Sequence, residues 1–197
     1  SIVLLYVVMF DLQLKNTKIH ILDSFLNYKL FNYLFVAFCI LIVINGSNFL
    51  DGLNTLNIIY FFLILIVIKY LNNKLDYQIW SLNINQIIMM MIPLLILNFY
   101  NKLYLGDSGT YLIGFLTSIF LINFYLINES ISPFFIVLLL WYPCYETLFS
   151  IIRKNIMKKS PMKPDSNHLH QQLPKLVHLK FFYLHLVKWD TLVKIMV

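Results

Sequence analysis

Charge is scarce in this sequence. Asp, Glu, Lys and Arg together make up 12% of its 197 residues, about half the share found in a soluble domain. A chain with so little charge cannot cover its surface in water, and a mean hydropathy of +0.75 with 60% hydrophobic residues points to lipid as the solvent. Cysteine is scarcer still. Cys39 and Cys144 both fall inside apolar runs, where a thiol serves as a small hydrophobe, so no disulfide framework is implied. No cleavable signal peptide is expected in the first apolar run, which is short and has neither a basic start nor a small-residue cleavage site. A net charge of +6 does not mark a nucleic-acid binder here. There is no soluble domain to carry a basic face, and the Lys and Arg residues sit in short loops, as the positive-inside rule expects.

What is present is a series of apolar runs. Each crossing of a bilayer needs about 20 mostly apolar residues. Residues 1–10 are apolar but cover only part of that length, and 11–29 form a polar connector with Lys15, Lys18, His20 and Asp23. Residues 31–44 carry no charge and break at Asn45 and Gly46, and 56–68 close at Lys69. Further runs follow over 82–99, 111–127 and 133–152, separated by Lys102 and by the loop Asn128, Glu129, Ser130. Pro93 is tolerated within its run because neighbouring groups satisfy the freed carbonyl. The expected fold is all-α, a polytopic transmembrane bundle with about five complete spans and an N-terminal partial span.

Orientation follows from charge. Arg153, Lys154, Lys158, Lys159, Lys163 and Lys175 follow the last span, which places that loop in the cytoplasm. Counting back puts residues 45–54 and 102–109 on the same side, with 72–76 and Glu129 outside. Three polar stretches, 45–54, 106–110 and 160–172, then share one face, as a single site requires.

In the first stretch, Asn48 and Asp51 are three residues apart and share a helical face. A carboxylate near membrane depth costs about 2.5–3.5 kcal/mol on insertion scales and is a functional candidate by default. The second, Gly106-Asp107-Ser108-Gly109-Thr110, frames a hard oxygen ligand with two glycines that allow close backbone approach; it reads equally well as an N-cap at the start of a span. In the third, two prolines extend the loop before His168 and His170. No Cys or third His stands at a zinc-ligand spacing, so these histidines suit a phosphate better. Glu146 and Arg153 are seven apart, on one helix face where they can pair, with Pro143 placed to bend the helix before them. A structural ion pair is the alternative. The basic run after Arg153 is a topology signal, with phosphate binding as a second role.

The order Asn-x-x-Asp-Gly, Gly-Asp-x-Gly, Pro-x-x-Glu-Thr-Leu, then Ser-Pro-x-Lys-Pro-Asp and His-x-His resembles the polyprenyl-phosphate N-acetylhexosamine-1-phosphate transferases, within glycosyltransferase family 4. The resemblance covers about residues 31–174 and, by the Ser-Pro-x-Lys-Pro-Asp lead-in, looks closer to the GlcNAc-type branch than to the peptidoglycan branch. It implies transfer of a sugar phosphate from a UDP-N-acetylhexosamine to a polyprenyl phosphate in the bacterial inner membrane, with release of UMP. It further implies magnesium, with manganese as the alternative, at Asp107. Asn48 and Asp51 would lie beside the diphosphate, and His168 and His170 would close over the nucleotide-sugar phosphates. Lys163 is added on electrostatic grounds, and Glu146 and Arg153 as further substrate-binding candidates.

The sequence departs from the family pattern in places. It has no adjacent Asp-Asp pair, Asn54 stands where many members have Asp, and Gln171 where many have His. Residues 1–175 are therefore expected to be a membrane-embedded transferase domain without its N-terminal part. Residues 176–197, with His178, Lys180, His185, Lys188 and Asp190, read as an atypical, clipped tail. Two other readings stay open: an inactive remnant or assembly partner, and a small-solute transporter with a polar site between broken helices. The sugar, the lipid length and any homo-oligomer are not specified.

Overall fold

A computed structural model describes residues 2–51, 55–71, 78–79, 82–128 and 131–156. Within them the elements run α1 (Ile2–Met9), α2 (His20–Leu26), α3 (Lys29–Leu50), α4 (Leu56–Leu71), β1 (Gln78–Ile79), β2 (Leu82–Asn83), α5 (Ile84–Phe99), α6 (Gly106–Ile127), α7 (Pro133–Leu139) and α8 (Trp141–Ile156). The two strands form one minimal antiparallel hairpin, and the rest is the expected all-α bundle. Helices α3 and α6, at 22 residues each, extend about 33 Å and cover the roughly 30 Å hydrocarbon core. The α7–α8 pair makes a third apolar segment, bent by 74°. Helices α4 and α5 are apolar but 16 residues long, about 24 Å, shorter than that core. Among the described residues, then, two or three segments reach full spanning length and two fall short.

Several boundaries differ from expectation. The connector over 11–29 contains α2. Asn45 and Gly46 do not break the first long span, which stays helical to Leu50, because Gly46 is a packing residue. A β-carbon there would come within 2.6 Å of the Pro143 side chain of α8. The run expected from residue 82 begins as a helix only at Ile84. The fifth span is not continuous either, and its bend falls at Leu140 rather than at Pro143. Pro143 still causes it in part, since proline has no N–H to return to the carbonyl four residues earlier, at Leu139.

Helix α3 is the centre of the bundle. Its face Tyr33, Val36, Ala37 and Ile40 packs on Val3 and Val7 of α1, and its other sides meet α6 and α8. The second core cluster joins Phe61 and Leu65 of α4, Ile87 and Met91 of α5, and Phe120, Leu121 and Phe124 of α6. Met91 is buried while Met89 and Met90 are exposed, so the Met run divides between packing and the outer surface. Small residues let the long helices approach. Ser47 of α3 lies against Gly114 of α6, where a β-carbon would be 2.9 Å from that of Ser47, the close-packing device of membrane helices. Both cysteines are free thiols.

Helix α8 is turned inside out relative to a soluble helix. Pro143, Glu146, Thr147, Ser150 and Lys154 are buried, spaced so that they share one face. Trp141, Leu148, Phe149, Ile151 and Ile152 are exposed. Thr147 on the buried face donates to the Ile42 carbonyl of α3 at 3.1 Å. An apolar outer face over a polar inner one is the pattern of a helix solvated by lipid.

Candidate active site

Helices α3 and α6 run antiparallel: Ser47 bonds to Thr110, while Ile44, earlier in α3, lies against Gly114, later in α6. The C-terminus of α3 and the N-terminus of α6 therefore lie at the same end of the bundle. Helices α4 and α5 close on that end too: buried Asn98 accepts from the Thr55 amide at 2.6 Å and donates to the Leu103 carbonyl at 2.7 Å. At the opposite end, the Tyr125 hydroxyl reaches the Asn16 carbonyl. The expectation that 45–54 and 106–110 share a face thus holds for the residues described.

The second motif is not a loop ahead of a span. Gly106 to Thr110 form the first turn of α6 itself. Gly106 takes φ +61°, a left-handed conformation that glycine adopts without strain. No side chain caps this end, and Leu105 occupies the N-cap position, so the capping reading of the motif is not what the geometry shows. Asp107 is left exposed in the first turn, where the unpaired amides of a helix start favour negative charge. Thr110 donates to the Asp107 carbonyl at 2.9 Å, tightening that turn.

Asp51 caps α3 at its C-terminus and donates its amide to the Asn48 carbonyl at 3.1 Å. Asp51, three residues past Asn48, and Asp107, four before Tyr111, lie outward of the bond from Asn48 to Tyr111, at the same end of the helix pair. Burial, and after it the negative charge of Asp107, push the Asp51 carboxyl above its ordinary value. A helix C-terminus also disfavours a carboxylate. Asp51 and Asp107, near enough for the charge of one to raise the other, offer hard oxygen donors of the kind a small divalent cation takes. Among the described residues no cluster of three or more His, Cys, Asp or Glu stands at ligating distance.

Behind the carboxylates, a buried polar chain locks the two helices together. Ser47 donates to the Thr110 carbonyl, and Asn57 of α4 donates to the Ser47 carbonyl. Asn57 Oδ1 is buried with no donor to it. None of Ser47, Asn57, Asn98 or Tyr111 stood out in the sequence. Asn57 and Asn98 were each visible as an amide inside or at the end of an apolar run, whereas Tyr111 looked like the first residue of a lipid-facing span.

Glu146 is 2% exposed, while the Arg153 guanidinium lies 5.5 Å from the Phe149 ring centroid, a cation–π distance. Lys163, His168 and His170 lie outside the described residues, as does the tail 176–197.

Comparison with known proteins identifies the family. The family model "Glycosyl transferase family 4" matches residues 1–125. The chain is 32% identical over 91 residues to the undecaprenyl-phosphate alpha-N-acetylglucosaminyl 1-phosphate transferase of Thermotoga maritima, covering 46% of this chain and 27% of the relative. It is 33% identical over 82 residues to a probable undecaprenyl-phosphate N-acetylglucosaminyl 1-phosphate transferase of Bacillus subtilis, covering 38% and 22%. It is 32% identical over 94 residues to the decaprenyl-phosphate N-acetylglucosaminephosphotransferase of Mycolicibacterium smegmatis, covering 41% and 23%. The matched part is thus about a quarter of each relative's length. No solved structure matches the chain. The family match over residues 1–125, more than half of the chain, places this membrane protein in glycosyl transferase family 4.

Proposed function

We propose that the chain carries the acidic centre of an enzyme that moves an N-acetylhexosamine-1-phosphate from a UDP-sugar onto a polyprenyl phosphate. The site would lie on the cytoplasmic face of a bacterial plasma membrane. The observation that carries this reading is that Asp51, at the end of α3, and Asp107, in the first turn of α6, lie at one end of an antiparallel helix pair, near enough for the charge of one to raise the other. The relatives' names supply the substrate class.

The physical problem in this reaction is to bring two anionic phosphates together. A bound divalent cation, magnesium or manganese, supplies charge neutralisation and in-line positioning for them. Asp107 and Asp51 would hold it, with Asn48 as a neutral partner. Asp107 suits the task because it is exposed on a helix start, whereas Asp51 is partly buried and gains most from a cation that offsets its neighbour's charge. His168, His170 and Lys163 are assigned to the donor's phosphates as charged hydrogen-bond donors. Glu146 and Arg153 sit on the turns of α8 that lead into that segment. The basic residues after Arg153 support the cytoplasmic assignment.

The test is conversion of radiolabelled UDP-N-acetylglucosamine into lipid-linked product by membranes carrying the protein, in a host deleted for its own enzyme. Product formation that needs magnesium and disappears in Asp107→Asn is expected. An Asp107→Asn protein turning over at the wild-type rate would remove the acidic pair from the reaction.

A further inference from the structure

In the part of the bundle away from the acidic residues, α3, α6, α7 and α8 enclose a cavity of about 280 Å3 whose wall includes Phe35, Cys39, Leu121, Val137 and Cys144. That is nearly twice the roughly 150 Å3 at which an engineered apolar cavity stays dry and takes benzene. The polar side chains in the wall are committed elsewhere: Ser118 donates to the Gly114 carbonyl, Thr17 to Asp23 and Tyr125 to the Asn16 carbonyl. Little is left there to hold water, so the cavity suits hydrocarbon. Phe134 and Val137 of α7 are exposed, which opens it toward lipid.

The connector before α2 borders this cavity, with Leu14, Thr17 and Ile19 in the wall, and it is pinned in place. Asn32 bonds to both the amide and the carbonyl of Leu14, at 2.9 and 2.8 Å. Asp23 accepts from the Thr17 amide and hydroxyl at 2.7 and 2.6 Å. The carboxylates of this end are thereby occupied, since Asp11 pairs with Lys29 at 3.3 Å. Lys15 and Lys18 are exposed and make no ion pair among the described residues. Ile21 and Phe25 of the adjoining α2 are exposed as well, and apolar side chains beside lysines mark the level of lipid headgroups.

We propose that this cavity binds one acyl chain of an anionic phospholipid whose headgroup phosphate is held by Lys15 and Lys18. The occupant is distinct from the lipid that reacts at the acidic centre. Tyr125 stands 18 residues beyond Asp107 on α6, about 27 Å along the helix axis, so a phosphate beside the connector is out of reach of Asp107. A polyprenyl tail could fill the cavity but brings no anion to the two lysines.

The experiment reconstitutes the full chain in phosphatidylcholine vesicles with a trace of phosphatidylglycerol carrying a photoreactive diazirine on one acyl chain, and maps the labelled peptides by mass spectrometry. Label is expected on the cavity wall, in peptides from 35–43 and 133–140, and should be displaced by unlabelled phosphatidylglycerol but not by more phosphatidylcholine. Lys15→Gln and Lys18→Gln change exposed side chains, so the bundle folds, and each should weaken phosphatidylglycerol binding by about fivefold. Equal displacement by the two phospholipids means bulk lipid only and overturns the proposal. Displacement by polyprenyl phosphate alone overturns it too, by making the cavity a seat for the substrate's tail. Wild-type affinity in the double lysine variant, or no label on the wall, has the same force.

Discussion

The Tyr60 hydroxyl donates to the Leu139 carbonyl at 2.6 Å. That carbonyl is the one Pro143 would have served had it carried an N–H, since the helical bond runs from each amide to the carbonyl four residues earlier. In hydrocarbon an unserved carbonyl has no water to turn to. Tyr60 of α4 thus stands in for the missing amide of α8 and stabilises the 74° bend from outside it.

Replacing Tyr60 by Phe should therefore destabilise the bundle by about 1–3 kcal/mol, the usual cost of an unsatisfied buried carbonyl. The loss should shrink in a Pro143→Ala background, where the restored amide can serve Leu139. Thermal unfolding of the four proteins in detergent gives the coupling, and additive losses would show that the two groups do not share a carbonyl.

At the crossing of α3 and α8, Gly46→Ala should cost about 1–3 kcal/mol, the range for overpacking a filled interior, because its β-carbon would be driven into the Pro143 backbone and ring. Gly114→Ala should cost less. Its added carbon would lie 2.9 Å from the Ser47 β-carbon and 3.2 Å from the Ile44 α-carbon, a less severe overlap than at Gly46. Equal melting temperatures for Gly46→Ala and wild type would refute the close contact.

Asp51 makes stability depend on pH in a defined direction. Its carboxyl is raised by burial and by Asp107, so the folded chain binds the Asp51 proton more tightly than the unfolded chain does. The resulting stability is full below the unfolded value, about 3.9 for Asp, and is lost as pH rises through the folded value. Cation-free Asp51→Asn should accordingly melt above wild type at neutral pH and level with it at about pH 3. A divalent cation should narrow the neutral-pH gap. A variant that is less stable than wild type at neutral pH without cation would contradict this.

Sidedness is open to direct measurement. Cysteines placed at Lys102 and Lys15, both exposed, should react with an impermeant maleimide from opposite sides of sealed vesicles. The native thiols lie within α3 and α8 and are replaced by Ser first. Labelling of both from one side would break the assignment of α3 and α6 as an antiparallel pair spanning the membrane.

Much of this architecture was legible in the sequence, for a physical reason. Uncharged runs long enough to cross a bilayer can be read from composition, and charge bias orders their ends, so Asp51 and Asp107 were placed on one face before any contact was known. What escaped was whatever depends on which residue meets which. Gly46 looked like a break because glycine usually weakens helices, yet its value lies in the absence of a β-carbon opposite Pro143. The first turn of α6 looked like a loop because two glycines and an Asp are common there. Tyr111 carried no signal, since its role exists only through Asn48 on another helix. The metal assignment at Asp107 and the roles of His168 and His170 rest on motif resemblance.

Helix α8 also sets a condition on biogenesis. A predominantly apolar segment such as α3 can be released from the translocon by itself. Helix α8 cannot be released cheaply. Glu146, buried in the bundle, would face acyl chains, at up to about 2.5–3.5 kcal/mol for a charged residue at mid-bilayer, until α3 is there for the polar face of α8 to pack on. The order of synthesis meets this condition, because α3 ends at Leu50 and α8 starts at Trp141. The receiving surface is in the membrane before the helix that needs it leaves the ribosome.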